Sequence, residues 1–223
     1  MVKAVIFDMF ETLVTHYRTG FYFGENIAKD MGLTNEKFRE IWDTTDDDRT
    51  IGKLTFEDTM INIMNANGIF SEESLKTIVE KRVSCKRKVF ADPDKGVLEM
   101  LEALKAAGVK IALISNCFSE EVGVIKESTL FPYFDVAMLS YEQGVKKPDL
   151  EIYRRAMQAL GVDASECLYV GDGGSHELDA AFEVGMKPLQ AKWFLKENNR
   201  STPEVYDQFE GLEKPQDLLS YIK

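Results

Sequence analysis

The chain has 223 residues, 44% hydrophobic and 29% charged, a composition ordinary for a globular protein with room for one full domain and a smaller one. Its net charge of −11 argues against a nucleic-acid partner and against binding to anionic membranes, because both need a basic surface. The cysteines (Cys85, Cys117 and Cys167) form no zinc pattern and no disulfide framework, and we find no signal peptide and no membrane-spanning apolar run. We therefore expect a cytoplasmic protein.

Short apolar runs predict buried parallel strands. In chain order they are Ala4 to Phe7, Lys110 to Ile114, Val136 to Leu139, Cys167 to Val170 and, more weakly, Pro188 to Ala191. Apolar residues at helical spacing separate the later runs and end at Gly108, Gly161 and Gly185, which are typical helix stops. This alternation predicts an α/β fold whose core is a doubly wound parallel sheet of the Rossmann type.

Residues 15–90 show no clear strand pattern and carry helical patterns instead, such as Leu75, Ile78 and Val79. We expect them to form a small helical domain inserted into a core made of residues 1–14 and 91–223. Within the insert, Lys81 to Lys88 is a strongly charged run, which we interpret as the solvated end of a helix.

Residues suited to phosphoryl chemistry follow the main predicted strands. In chain order they are Asp8, Ser115-Asn116, Lys147-Pro148 and Gly171-Asp172. Ligands of open α/β sheets bind at the carboxyl ends of the strands, so we expect these residues to share one site. A single strand-end Asp is more often a turn or cap residue, and Ser115 could instead cap the following helix. The order of the motifs therefore carries the argument.

This pattern resembles the haloacid dehalogenase-like hydrolase superfamily, in the subfamily with a helical cap inserted after the first motif. The passages Phe131 to Asp135, Ser140 to Gly144 and Leu160 to Val162 extend the resemblance over most of the core. The resemblance implies a hydrolase that acts on a small anionic substrate. Our first choice is a Mg²⁺-dependent phosphatase that works through an aspartyl-phosphate.

By this resemblance, Asp8 is the nucleophile. Ser115 and the backbone N–H of Asn116 would bind a phosphoryl oxygen, and Lys147 would neutralise charge on the nucleophile and on the phosphoryl group. Thr12 would support the loop that holds Asp8 and so help to bind substrate. An ordinary role as a small polar residue near a helix start fits Thr12 equally well.

The resemblance also implies a set of ligands for Mg²⁺, which prefers oxygen donors. They would be the carboxylates of Asp8 and Asp172 and the backbone carbonyl of Phe10. Glu177 stands where the family usually has an aspartate, and its longer arm would reach the metal or Lys147 through water.

Phe10 departs from the phosphatase pattern, because the family's phosphatases place a general acid/base aspartate there. Losing such a group typically costs about 10²–10⁴ in rate. Haloacid dehalogenases usually carry an aromatic residue at this position and use no metal, so a dehalogenase is one alternative. Gly171-Asp172 is the metal-binding form of the last motif and argues against it. A third possibility is a weakened, binding-only member of the family.

Other residues could supply the missing proton. Glu11, His16, Tyr17 and His176 are the nearest candidates in the sequence, although we favour a surface position for each of them. Arg49, beside Gly52 in a stretch that resembles a loop, could grip an anionic substrate. The adjacent acidic run Asp46 to Asp48 could instead be its partner.

Overall fold

The structure is a computed structural model and describes residues 1–197 and 206–222. Its strands are β1 (Ala4–Phe7), β2 (Lys110–Ser115), β3 (Val136–Leu139), β4 (Cys167–Gly171), β5 (Lys187–Ala191) and β6 (Glu210–Leu212). Its helices are α1 (Gly24–Asp30), α2 (Asn35–Trp42), α3 (Asp46–Thr50), α4 (Phe56–Ala66), α5 (Glu72–Phe90), α6 (Lys95–Ala106), α7 (Ser119–Glu127), α8 (Ser140–Gln143), α9 (Leu150–Leu160) and α10 (Glu177–Glu183). 3₁₀ helices, turns and loops make up the rest of the described chain.

The strands form a six-stranded, all-parallel sheet in the order β3-β2-β1-β4-β5-β6. Each predicted strand is present, and the predicted α/β fold class is confirmed. The additional strand β6 carries a single large apolar residue, Leu212, and so leaves no apolar run in the sequence.

Alternation along β1 places its side chains on both faces of the sheet. Val5 and Phe7 pack with residues of α6 and α7, whereas Ala4 and Ile6 pack with residues of α9 and α10. All four side chains are fully buried, as expected for a central parallel strand covered by helices on both sides.

The sheet order changes direction at β1. Phe7 pairs with Leu113 of β2 on one side and with Val170 of β4 on the other. The residues that follow these neighbouring strands therefore converge at one edge of the sheet, where α/β proteins bind their ligands.

Residues 15–90, which we call the helical insertion, contain α1 to α5 and no strand, and the structure describes this segment in full. The insertion has an apolar cluster of its own, built on Ile27, Phe38, Phe56 and Met60. None of the described helices combines the length and the apolar character needed to cross a bilayer.

The charged run Lys81 to Lys88 is not a solvated helix end, and that interpretation is wrong. The run lies inside α5, and its residues Arg82 and Lys86 are only 1% and 3% exposed. Their spacing of four residues puts both on the helix face that packs against α7 of the core. There they pair with the buried carboxylates of Glu120 and Glu121. We call these four residues the buried charge cluster.

Candidate active site

Asp8 follows β1 directly and is held from both sides. Its backbone N–H donates to the carbonyl of Val170 at 2.9 Å, which keeps it in line with β4. The Lys147 ammonium group donates to one carboxylate oxygen at 2.5 Å, and the Thr12 hydroxyl lies 3.5 Å from the other. Asp8 is thus a buried carboxylate with a fixed orientation.

A tight turn after Asp8 brings Thr12 back beneath it. Glu11 adopts a left-handed backbone with φ of 60°, which is uncommon for a residue other than glycine. Its N–H donates to the carbonyl of Val14 at 2.6 Å, and its carboxylate accepts from the hydroxyl of Thr15. The first helix begins only at Gly24, so Thr12 is a turn residue and does not lie near a helix start.

The second and third motifs are joined through one amide side chain. Asn116 donates from Nδ2 to the carbonyl of Lys147 at 3.0 Å and accepts from the Lys147 N–H at 2.8 Å. Ser115 is fully buried at the end of β2, and its hydroxyl makes only a 3.5 Å contact with the carbonyl of Asn116 among the described residues. Helix α7 begins at Ser119 after Phe118, so Ser115 does not cap it.

Lys147 lies between two carboxylates. Its ammonium group donates to Asp8 and also to Glu177. Burial disfavours the charge, but the two carboxylates outweigh this effect and raise the pKa of Lys147. Lys147 is therefore a permanent positive charge beside Asp8.

Glu177 is fully buried and contacts Lys147 directly, whereas a water-mediated link was expected. It also accepts from the Tyr169 hydroxyl at 2.8 Å and from the Gly173 N–H at 3.2 Å. Its carboxylate lies so close to Gly171 that a Cβ at that position would be 1.9 Å from Glu177 Oε1. The longer arm of Glu fits here because residue 171 has no side chain.

The carboxylates of Asp8, Asp172 and Glu177 form one group, with ligand oxygens within 4.8 Å of one another. Burial, with added repulsion from Asp8, raises the pKa of Asp172 to about 7. Burial likewise raises the pKa of Glu177 to about 8, although Lys147 opposes the shift. One ammonium group does not balance three carboxylates, and hard oxygen donors with excess negative charge suit a divalent cation such as Mg²⁺.

The ring of Phe10 lies among aromatic and basic groups. Its centroid is 4.9 Å from that of His16 and 6.1 Å from that of Phe90, and the Lys86 ammonium lies 4.8 Å from it. The side chain at this position thus faces α5 of the helical insertion as well as the core.

The four alternative proton donors have different surroundings. Glu11 and His16 contact each other at 2.9 Å, and His16 is buried, so a surface position is wrong for it. Burial lowers the pKa of His16. Burial, followed by the charges of Glu11 and Asp172, raises the pKa of half-buried Tyr17 to about 12. His176 is exposed just before α10.

Arg49 lies within α3, so the expectation of a loop is wrong. Its side chain is fully buried, and its guanidinium group stacks 3.7 Å from the ring of Trp42. It donates to the carbonyl of Trp42 at 2.7 Å and to Asp46 at 3.2 Å, which makes the acidic run a partner. All of its described hydrogen bonds are therefore to the helical insertion, and its contact with substrate stays a prediction.

Two tyrosines belong to this site that the sequence did not indicate. Tyr169 and Tyr153 are fully buried and bind the side chain and the backbone carbonyl of Glu177, respectively. Tyr169 lies in an apolar strand and Tyr153 on the apolar face of α9, so both resemble core residues. The only signal is a hydroxyl group in each of two segments that are otherwise apolar.

The chain matches a family model described as haloacid dehalogenase-like hydrolase over residues 2–185. It is 27% identical to the putative pyrophosphatase PpaX of Clostridium perfringens, and the match covers 100% of this chain and 98% of that protein. It is 32% identical to the pyrophosphatase PpaX of Bacillus velezensis over 124 residues. That second match covers 55% of this chain and about half, 56%, of the Bacillus protein.

A solved structure of a 2-haloacid dehalogenase from Pseudomonas syringae superposes with a TM-score of 0.67 at 19% identity, covering 99% of this chain and 97% of that one. At this identity the similarity shows the fold alone. The family match, in contrast, runs from β1 to the end of α10. The chain therefore belongs to the haloacid dehalogenase-like hydrolases.

Proposed function

We propose that the protein is a Mg²⁺-dependent phosphatase that hydrolyses a small phosphorylated substrate through an aspartyl-phosphate on Asp8. The observation that carries the proposal is the environment of Asp8. It is a buried carboxylate, hydrogen-bonded by Lys147 and grouped with Asp172 and Glu177 at the carboxyl end of the sheet. The relatives named pyrophosphatases support phosphoryl transfer rather than attack on carbon.

The acidic group fits Mg²⁺, because its donors are oxygens and its charge is not balanced by Lys147 alone. Asp8, Asp172 and the backbone carbonyl of Phe10 would hold the ion, which would reduce repulsion between the nucleophile and an anionic substrate. Glu177 already binds Lys147 and Tyr169, so it would orient the lysine, and its carboxylate is also a candidate metal ligand.

The side chains and backbone of the site have distinct roles in the proposed reaction. Asp8 attacks phosphorus, and the bond to the leaving group breaks as the Asp8–phosphorus bond forms. Lys147 offsets charge on Asp8 and on the phosphoryl oxygens, and Ser115 and the Asn116 N–H bind those oxygens. Water then hydrolyses the aspartyl-phosphate, releasing phosphate. The helical insertion would act as the cap that selects the substrate, with Arg49 and Thr12 as candidate substrate-binding residues.

Phe10 bears on the leaving group, since a phenyl ring donates no proton. A phosphoanhydride or acyl phosphate releases a stable anion and needs less help than an alkyl ester. The match to proteins named pyrophosphatases agrees with such a substrate class.

The test is a steady-state assay of pyrophosphate, acetyl phosphate, p-nitrophenyl phosphate and an alkyl phosphate, with Mg²⁺ and with EDTA. We expect turnover only with Mg²⁺, highest on the anhydride and acyl substrates. Asp8→Asn should abolish it, while Asp43→Asn, which changes an exposed aspartate, should not. Metal-independent turnover, or full activity of Asp8→Asn, contradicts the proposal. An aspartyl-phosphate that accumulates without turnover identifies the binding-only alternative.

A dehalogenase is the second candidate, and the observation that favours it is the aromatic side chain of Phe10. Halide release from 2-haloacids in the presence of EDTA, lost in Asp8→Asn, would establish it. Absence of halide release together with Mg²⁺-dependent phosphate release would eliminate it.

A further inference from the structure

A continuous chain of polar contacts runs from the nucleophile loop to the helical insertion and on to the core. Glu11 Oε1 lies 2.9 Å from His16 Nδ1, and His16 Nε2 lies 2.9 Å from Lys86 Nζ. Lys86 Nζ in turn lies 2.5 Å from Glu121 Oε1. Three residues of this series of contacts are buried: His16 is 7% exposed, Lys86 3% and Glu121 4%.

The contacts determine which groups donate. An ammonium group has only N–H donors, so His16 Nε2 accepts from Lys86. His16 Nδ1 therefore carries the ring proton, and this N–H donates a hydrogen bond to the carboxylate of Glu11. Both ring nitrogens of His16 make hydrogen bonds, so the ring connects α5 of the helical insertion to the turn that follows Asp8.

The Glu11 end of the chain holds a strained backbone. Glu11 has φ of 60° and lies between Phe10, whose carbonyl is a proposed metal ligand, and Thr12, which contacts Asp8. Its carboxylate also accepts from the backbone N–H of His16 at 3.1 Å. Strained residues persist only where their surroundings fix them, and here the surroundings include a lysine from α5.

An ion pair between Lys86 and Glu121 alone would only join the insertion to the core. Arg87 and Glu127 already do so on the exposed side of the same two helices, at 3.3 Å. Burying an ammonium group carries a large desolvation cost. Lys86 also contacts His16 Nε2 and lies 4.8 Å from the Phe10 ring, two contacts with the nucleophile loop that are not found for Arg87 among the described residues.

We propose that Lys86 is a positioning residue, which through His16 and Glu11 holds the nucleophile loop in its active geometry when the helical insertion packs on the core as it does here. Its effect on turnover rests on the proposed phosphatase function. Its contact with His16 does not, and it can be measured without a substrate.

The first measurement is the ¹⁵N spectrum of the histidine rings, which is simple because the chain has only two histidines. His176→Asn assigns the His16 signals. We expect Lys86→Met to move the His16 Nε2 resonance by several ppm and Arg87→Met to leave it in place. An unchanged resonance in Lys86→Met overturns the inference, whatever the enzyme hydrolyses.

The second measurement separates positioning from stability. We expect Lys86→Met to lower kcat by about 10–100-fold with little change in KM, because a displaced nucleophile loop impairs the chemical step. Arg87→Met should match the wild type. In Lys86→Met the single cation Arg82 faces both Glu120 and Glu121. The double variant Lys86→Met/Glu121→Gln removes the excess buried charge, leaves Arg82 paired with Glu120, and should regain thermal stability without regaining kcat. Recovery of kcat together with stability shows a structural role only and overturns the inference.

An inactive wild type would contradict the proposed function alone, since the ring spectra then decide this inference by themselves.

Discussion

Two regions of the molecule bury several charged groups, and they do so in opposite ways. At the edge of the sheet, Asp8, Asp172 and Glu177 share one lysine, Lys147, so negative charge is in excess. In the buried charge cluster, Arg82 and Lys86 face Glu120 and Glu121, and the charges balance.

The difference indicates which region binds a ligand. A balanced cluster satisfies itself and joins two parts of the fold, whereas an unbalanced one needs a cation to be stable with its carboxylates ionised. The locations of the two groups agree with this division. The unbalanced group lies where α/β folds bind ligands, and the balanced cluster lies between helices α5 and α7.

The largest effect we expect comes from breaking the balanced cluster. Arg82→Met should lower the free energy of unfolding by about 3–5 kcal/mol, because it leaves Glu120 buried without its partner. The carbonyl of Tyr22, which accepts from Arg82 at 2.8 Å, also loses its donor. Urea unfolding measures the change.

Arg87→Met is the control for this experiment, because it removes an exposed ion pair between the same two helices and should cost at most about 1 kcal/mol. Activity per folded molecule of Arg82→Met should stay near the wild-type value. A large loss of activity without loss of stability would contradict the division between the two regions.

A smaller effect on stability should follow from a change of pH, through the carboxylates of the unbalanced group (Asp8, Asp172 and Glu177). The pKa values of Asp172 and Glu177 are raised in the folded protein to about 7 and about 8, so the folded state binds more protons than the unfolded state above pH 4 to 5. Without metal, their contribution to stability is therefore lost as the pH rises toward 8. We expect a loss of about 1–3 kcal/mol between pH 5 and pH 8, measured relative to Asp172→Asn.

Millimolar Mg²⁺ should restore this stability at pH 8 and have little effect at pH 5, because protons compete with the metal for the same carboxylates. Thermal melts with Mg²⁺ and with EDTA test the point. A stabilisation by Mg²⁺ that survives unchanged in Asp172→Asn would show that the ion binds elsewhere.

The smallest effect we expect is on the rate of alkyl phosphate hydrolysis when Phe10, which lies between the two regions, is replaced by aspartate. Phe10→Asp would introduce the carboxylate that phosphatases of the family carry, but Lys86 lies 4.8 Å from the present ring and would pair with it. We expect alkyl phosphate hydrolysis to rise by only about tenfold, well below the usual value of a general acid. Pyrophosphate hydrolysis should change less.

Adding Lys86→Met to Phe10→Asp would test this competition. If Lys86 pairs with the new carboxylate, Phe10→Asp should raise the rate of alkyl phosphate hydrolysis by a larger factor in the Lys86→Met background than in the wild type. Equal gains would show that Lys86 does not hold the new carboxylate.

The sequence was sufficient to predict five of the six strands of the sheet and the edge at which Asp8, Asp172 and Glu177 lie together. Parallel strands buried on both faces are continuous apolar runs. Asp8 and Asp172 directly follow two of these strands, and Ser115 is the last residue of a third. Their convergence follows from the topology of such sheets and needs no knowledge of distant contacts.

The balanced cluster could not be predicted in the same way. Arg82 and Lys86 look like surface residues, since charged residues are mostly exposed and their partners lie 38 and 35 positions away on α7. The helical position of Arg49 could not be predicted either, because Asp46 to Asp48 have weak helix propensity. Its side chain is buried by packing on Trp42 and Phe118, which the local sequence does not reveal. Long-range pairing decides such positions.

The close approach of Glu177 to Gly171 constrains how this site can change during evolution. Any side chain at position 171 would occupy the space of the Glu177 carboxylate and separate it from Lys147. A lineage that acquires alanine or serine at 171 would first have to shorten residue 177 to aspartate. The two positions, six apart in the sequence, are therefore expected to vary together, and the order of substitution is fixed: the shorter acid must come before the larger neighbour.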